Sequence, residues 1–93
     1  MLCVVDHPTQ SVSFQLTADA EPGLLPRLLV PFARRDLLPD RVKTRRFNDV
    51  VEATLAMDAM PAEMVHLVEG NLRQVVGLRQ LTVVIRACAR QAA

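Results

Sequence analysis

Hydrophobic and polar residues alternate strictly from Ser11 onward. Val12, Phe14, Leu16 and Ala18 fall on one side, and Ser11, Ser13, Gln15 and Thr17 on the other, which predicts a strand with one wet face. After the turn Asp19–Pro22 the period changes. Leu24, Leu25, Leu28, Leu29 and Phe32 recur at helical spacing, with Arg27, Val30 and Arg34 opposite. Pro26 is tolerable if that helix begins near Gly23, because a first-turn amide has no helical acceptor. Pro31 lies deeper and predicts a kink or local irregularity. Residues 36–40 connect to a basic strand, RVKTRRF. Asn48 and Asp49 then form a hairpin turn into VVEATLAM, where Val51, Ala53, Leu55 and Met57 share a face. Pro61 opens a second helix running to about Val76, with Val65, Val68, Leu72, Val75 and Val76 as its apolar stripe. Gly77 stops it. LRQLTVVIRAC is the last strand, with Leu81, Val83 and Ile85 inward and Gln80, Thr82 and Arg86 outward.

The order is strand, helix, strand, strand, helix, strand. Two right-handed crossovers place both helices on one face of a four-stranded antiparallel sheet. The fold class is therefore α+β, ferredoxin-like βαββαβ. Each strand has one apolar and one polar face, as a single helix layer requires. Residues 1–10 read as a lead-in closed by Pro8, and residues 11–93 as one domain.

Composition narrows this further. The chain has 93 residues, 51% of them hydrophobic, with no Trp or Tyr and three Phe, so the core is expected to be aliphatic. A domain this small buries only part of its apolar surface, and a partner subunit would add stability. Net charge is about +1, with ten of the eleven basic residues Arg, so no bulk pull toward nucleic acid or membranes is implied. Cys3 and Cys88 lie far apart without CxxC spacing, which fits a reduced, cytoplasmic setting. The start MLCVVDHP lacks the charge and apolar run of a secretion signal, and no apolar run approaches a membrane span.

Catalytic chemistry is hard to assemble from these residues. His7 and His66 have no Cys, Ser or carboxylate partner in sequence, and no metal-binding spacing occurs, so neither an enzyme nor a cofactor is expected. Asp6, Asp19, Asp36, Asp40, Asp49 and Asp58 fall at turns and strand ends, where Asp is favoured for local reasons. The basic stretch 41–46 suggests an alternative, a ferredoxin-like RNA-binding module. That reading predicts aromatics on the open face of the central strands, where Ser13, Gln15, Glu52 and Thr54 stand instead. Charge on an edge strand more simply discourages unwanted pairing.

One stretch carries more. In LTADAEPGLLPRLLVPFARRD, Pro22-Gly23-Leu24-Leu25 forms the mouth of the first helix and Phe32-Ala33-Arg34-Arg35 its end. Together with the order of elements, this stretch resembles an ACT domain from about Ser11 to Ile85. NLRQVVGLRQLTVV is similar to the end of the second helix and last strand of the small regulatory subunits of acetolactate synthase, with Leu72, Arg73 and Val75 in a comparable run. The resemblance implies a non-catalytic regulatory or interaction module, paired as a homodimer and often binding an amino acid between subunits. It implies a large catalytic synthase subunit as partner and a branched-chain amino acid as effector.

The site implied by the resemblance comprises Asp19, Ala20, Glu21, Pro22, Gly23, Leu24 and Leu38. The implied pairing surface comprises Arg27, Val30, Arg34, Val42 and Thr44. A glycine at the helix mouth leaves backbone amides uncovered, and those amides with the helix dipole favour a carboxylate. In amino-acid-binding members Asn commonly occupies the positions of Ala20 and Leu38, and glycine that of Asp36. Without those amides a buried ligand would rely on backbone groups and nearby carboxylates, so the usual site is lost or rebuilt.

Overall fold

A computed structural model describes residues 9–87, and the expectations for the lead-in, Asp6, His7, Cys3 and Cys88 lie outside them. The elements run β1 (Thr9–Asp19), α1 (Leu24–Ala33), β2 (Arg41–Phe47), β3 (Val50–Pro61), α2 (Ala62–Leu72) and β4 (Leu78–Ala87). The strands form one antiparallel sheet in the order β2-β3-β1-β4, with both helices on one face. This is the ferredoxin-like βαββαβ arrangement. The first strand begins at Thr9, two residues before the alternation that predicts it.

Val12, Phe14, Leu16 and Ala18 are buried against Leu24, Leu28 and Phe32 of α1 and Val65, Val68 and Leu72 of α2. The core is aliphatic around one exception: the Phe14 and Phe32 rings meet edge to face, with centroids 5.7 Å apart. Leu25 of the predicted stripe is 40% exposed and Pro31 takes a buried place instead. Lying seven residues after Leu24, Pro31 is on the core face. It stands three residues before the end of the helical run at the Arg34 cap, and α1 continues through it without interruption. Only the Pro31 amide is missing from the ladder, so the expected irregularity does not break the helix.

Two further boundaries and one exposure differ from the sequence pattern. β3 continues four residues beyond Met57, because a bulge places one extra residue on β3 between Met57 and Met60. The bulge changes the strand's phase, so Met60 is fully buried where strict alternation would expose it. The Asp58 amide donates to Asp40 Oδ2 at 2.7 Å. α2 ends at Leu72, not near Val76. Gln74 and Val75 then bond back to Asn71 and Leu72 in a tightened turn that leaves Val76 72% exposed. Ile85 pairs with Val12 on the helix side, as expected, but is 47% exposed because β4 is an edge with a neighbour on one side only.

Two left-handed residues mark turns. Asp36 (φ 56°) follows α1, where Leu37 N–H returns to the Phe32 carbonyl at 2.9 Å, and Asn48 (φ 55°) opens the two-residue β2–β3 hairpin. Arg35 joins the helices, donating from Nη1 to Asn71 Oδ1 at 2.8 Å. Among the described residues no helix is long and apolar enough to cross a membrane.

Candidate functional site at the mouth of the first helix

The end of β1 is held on both sides. Asp19 N–H donates to the Gly77 carbonyl and Ala20 N–H to the Asp49 carbonyl, each at 2.9 Å. The second bond brings the β2–β3 hairpin alongside the turn that opens α1. Between them lies a groove of two adjoining recesses. One, of about 150 Å³, is lined by Glu21, Pro22, Leu24, Leu25, Leu28, Thr44, Arg45, Arg46 and Val51. The other, of about 250 Å³, is lined by Ala20, Glu21, Pro22, Arg46 and Val51. Each falls below the roughly 300–1,000 Å³ of drug-sized pockets and suits a small metabolite.

The groove is apolar along its length and charged at two points. Leu25, Leu28, Pro22 and Val51 supply the apolar lining. Glu21 pairs with Arg27 at 3.3 Å, both about half exposed. Arg46 donates its Nε–H to the Asn48 carbonyl at 2.9 Å and makes no ion pair with a described residue. The rest of its planar donor fork is free for an anion. The α1 mouth has no side-chain cap and no acidic residue in its first turn, so its partial positive charge is unanswered from within the helix.

Gly23 takes φ −90° and ψ 5°, a conformation open to any residue. A Cβ there would meet only the flexible end of Arg27, at 3.4 Å. Neither backbone strain nor packing within the chain demands glycine at this position. Gly77 is the opposite case. Its φ is +91°, and an added Cβ would lie 3.4 Å from the Asp19 Cβ.

Of the residues implied by the sequence, the structure brings Ala20, Glu21, Pro22 and Leu24 into the groove, while Gly23, the N-cap of α1 between Pro22 and Leu24, lines neither recess. Asp19 turns away, accepting from Arg79 Nε at 2.7 Å at the β4 side. Leu38 stands 82% exposed in the α1–β2 connector and lines neither recess. Arg27, Val30, Arg34, Val42 and Thr44 are all exposed, the first two on α1, Arg34 at its C-cap and the last two on the helix side of β2. Leu25, Leu28 and Val51 are not among the residues the sequence implies for a site, and Arg45 and Arg46 are implied only as part of the basic stretch 41–46 of the RNA-binding alternative. The two-residue hairpin was the available signal: it sets Arg46 opposite Val51, which in turn pairs with Ala18 near the end of β1.

The open face of the sheet carries a separate recess of about 290 Å³, lined by Gln15, Leu16, Thr17, Glu52, Ala53, Thr54, Gln80 and Thr82. It offers no aromatic surface for stacking bases. His66 is exposed on α2, and no group of His, Cys, Asp and Glu among the described residues could hold a metal ion.

A family model for the ACT-like domain matches residues 6–92. The chain belongs to that family. No curated protein and no solved structure matches the chain. ACT-like domains are regulatory, small-molecule-sensing modules.

Proposed function

We propose that this ACT-like domain senses a small amphipathic carboxylate, and specifically an aliphatic α-amino acid, in the groove at the α1 mouth. The supporting observation is the joint placement of Arg46, Glu21 and an apolar lining around an uncapped helix start. The ligand carboxylate would meet Arg46 and the α1 amides, its ammonium would meet Glu21, and its branched side chain would lie on Leu25, Leu28 and Val51. Charge-assisted bonds of this kind replace the side-chain amides absent at Ala20 and Leu38. The unconstrained glycine at position 23 allows a ligand to approach the backbone closely.

In its specific form, the domain is the regulatory subunit of an acetolactate synthase, tuned by a branched-chain amino acid and acting on a large catalytic subunit. Pairing of two copies through the outer side of α1, with Arg27, Val30 and Arg34, would place the two grooves within one assembly. Calorimetry with valine, leucine and isoleucine tests the sensor. Saturable heat that is lost in Arg46→Gln supports it, and no heat with any of the three removes it. Co-purification with the large synthase subunit tests the partner independently, and size measurement at micromolar concentration tests the pairing.

A further inference from the structure

All seven residues of β2 are exposed, the strand pairs only with β3, and its other edge is free. Four of the seven are cations. Arg41 is engaged by Asp58 at 2.9 Å. Lys43 and Arg45 stand on the open side of the sheet, since Val42 and Thr44 between them face the buried Leu55 and Ala53 of β3. Neither cation makes an ion pair with a described residue. The register sets Arg45 opposite Glu52, yet its guanidinium lies over the Phe47 ring at 4.6 Å and leaves that carboxylate.

The inference rests on the pairing of copies proposed above. α1 and β2 border the same recess, so two copies meeting along α1 bring their β2 edges together, and a free edge accepts another strand. In a two-fold antiparallel pair, facing residues share a side of the sheet, so the axis passes through a residue. The longest overlap centres on Thr44. Thr44 then faces its own copy on the helix side, and on the open side Lys43 of each copy faces the partner's Arg45. Moving the axis to Val42, Lys43 or Arg45 still sets cations against cations. Facing side chains are about 5 Å apart and alternate neighbours along a strand about 7 Å, so four cations surround the axis. The nearest carboxylates are the two copies of Glu52, and the seam keeps a positive excess.

We propose that this seam is a binding site for a polyphosphate group, held on the open side by Lys43 and Arg45 of both copies. Like charges facing each other oppose the pairing, and a multivalent anion between them reverses the sign of that contribution. Phosphate oxygens suit the donors present: each guanidinium offers a planar fork and each ammonium a compact charge. Each copy supplies half of the cations, so the site is incomplete in the monomer and its ligand strengthens the dimer by linkage. Arg45 also lines the groove at the α1 mouth, whereas Lys43 lines neither of its recesses. Substitution of Lys43 therefore probes the seam and leaves the amino-acid site intact.

The test is sedimentation equilibrium of the full chain in three buffers of equal ionic strength, containing sodium chloride, sodium tripolyphosphate or ATP. Tripolyphosphate should lower the dimer dissociation constant about tenfold or more relative to chloride. An equal effect of ATP would support the site and identify a nucleotide's phosphates as a source; an effect of tripolyphosphate alone would support it for the free anion. Lys43→Gln should pair more tightly than the parent in chloride and respond less than about threefold to tripolyphosphate. Its exposed position leaves the thermal midpoint within a few degrees of the parent. A dimer equally strong in chloride and tripolyphosphate would overturn the proposal and leave the pairing standing, as would a Lys43→Gln dimer that responds like the parent. A chain that stays monomeric in all three buffers would overturn both.

Discussion

The two glycines flanking the end of β1 make opposite demands, and substituting each with alanine separates them. In Gly77→Ala a side chain must adopt φ +91°. Such a conformation costs on the order of 1–3 kcal/mol. The new Cβ also presses within 3.4 Å of Asp19, whose carboxylate holds Arg79. That exposed pair contributes at most about 1 kcal/mol. A total loss of about 2 kcal/mol follows, lowering the melting midpoint by roughly 8–16 °C in a domain of this size. In Gly23→Ala the backbone stays at φ −90° and the only neighbour is a flexible guanidinium. Reduced freedom of the unfolded chain favours alanine by about 0.4–1 kcal/mol, while the weaker cap costs a similar amount. The net change is within about 1 kcal/mol of zero by the same principles. Urea unfolding followed by circular dichroism measures both variants. A Gly77→Ala protein as stable as the parent, or a Gly23→Ala protein losing 2 kcal/mol or more, would refute this division of roles.

Other substitutions probe the remaining contacts. Asp36→Gly relieves a left-handed aspartate after α1 and should raise stability by about 1 kcal/mol, read as a higher urea midpoint. Phe32→Ala removes a ring 1% exposed and packed on Phe14, and should cost about 3–5 kcal/mol in the same assay. Asn71→Ala leaves half-buried Arg35 without its 2.8 Å acceptor between the helices and should cost about 1–2 kcal/mol in thermal unfolding. Arg46→Gln should leave unfolding unchanged within about 0.5 kcal/mol, since the residue is exposed, while removing amino-acid binding by calorimetry.

Much of this architecture could be read from residue pattern. Alternation along β1 and the helical spacing of Leu24, Leu28 and Phe32 are direct consequences of burial on one face, and the structure buries those residues. The pattern stops being informative where geometry changes without a change of composition. The β3 bulge shifts the phase by one residue, so Asp58-Ala59-Met60 reads as a connector although it remains in the sheet. The end of α2 is obscured because Val75 and Val76 continue the apolar run, yet the tightened turn before Gly77 carries them out of the helix. Pro31 misleads in the other direction: a residue that removes an amide still packs well at the last turn of a helix. In the groove, the turn residues were recognisable from Pro22-Gly23. Arg46 was not, because its role depends on hairpin register and on the bond from Ala20 to Asp49, both of them long-range facts.

Backbone amide shifts recorded while titrating valine, leucine or isoleucine into the domain test the groove most directly. The account predicts saturable shifts at Glu21, Gly23, Leu24, Leu25, Thr44, Arg46 and Val51, absent in Arg46→Gln. Shifts confined to the open sheet face, or none with any of the three amino acids, would contradict it.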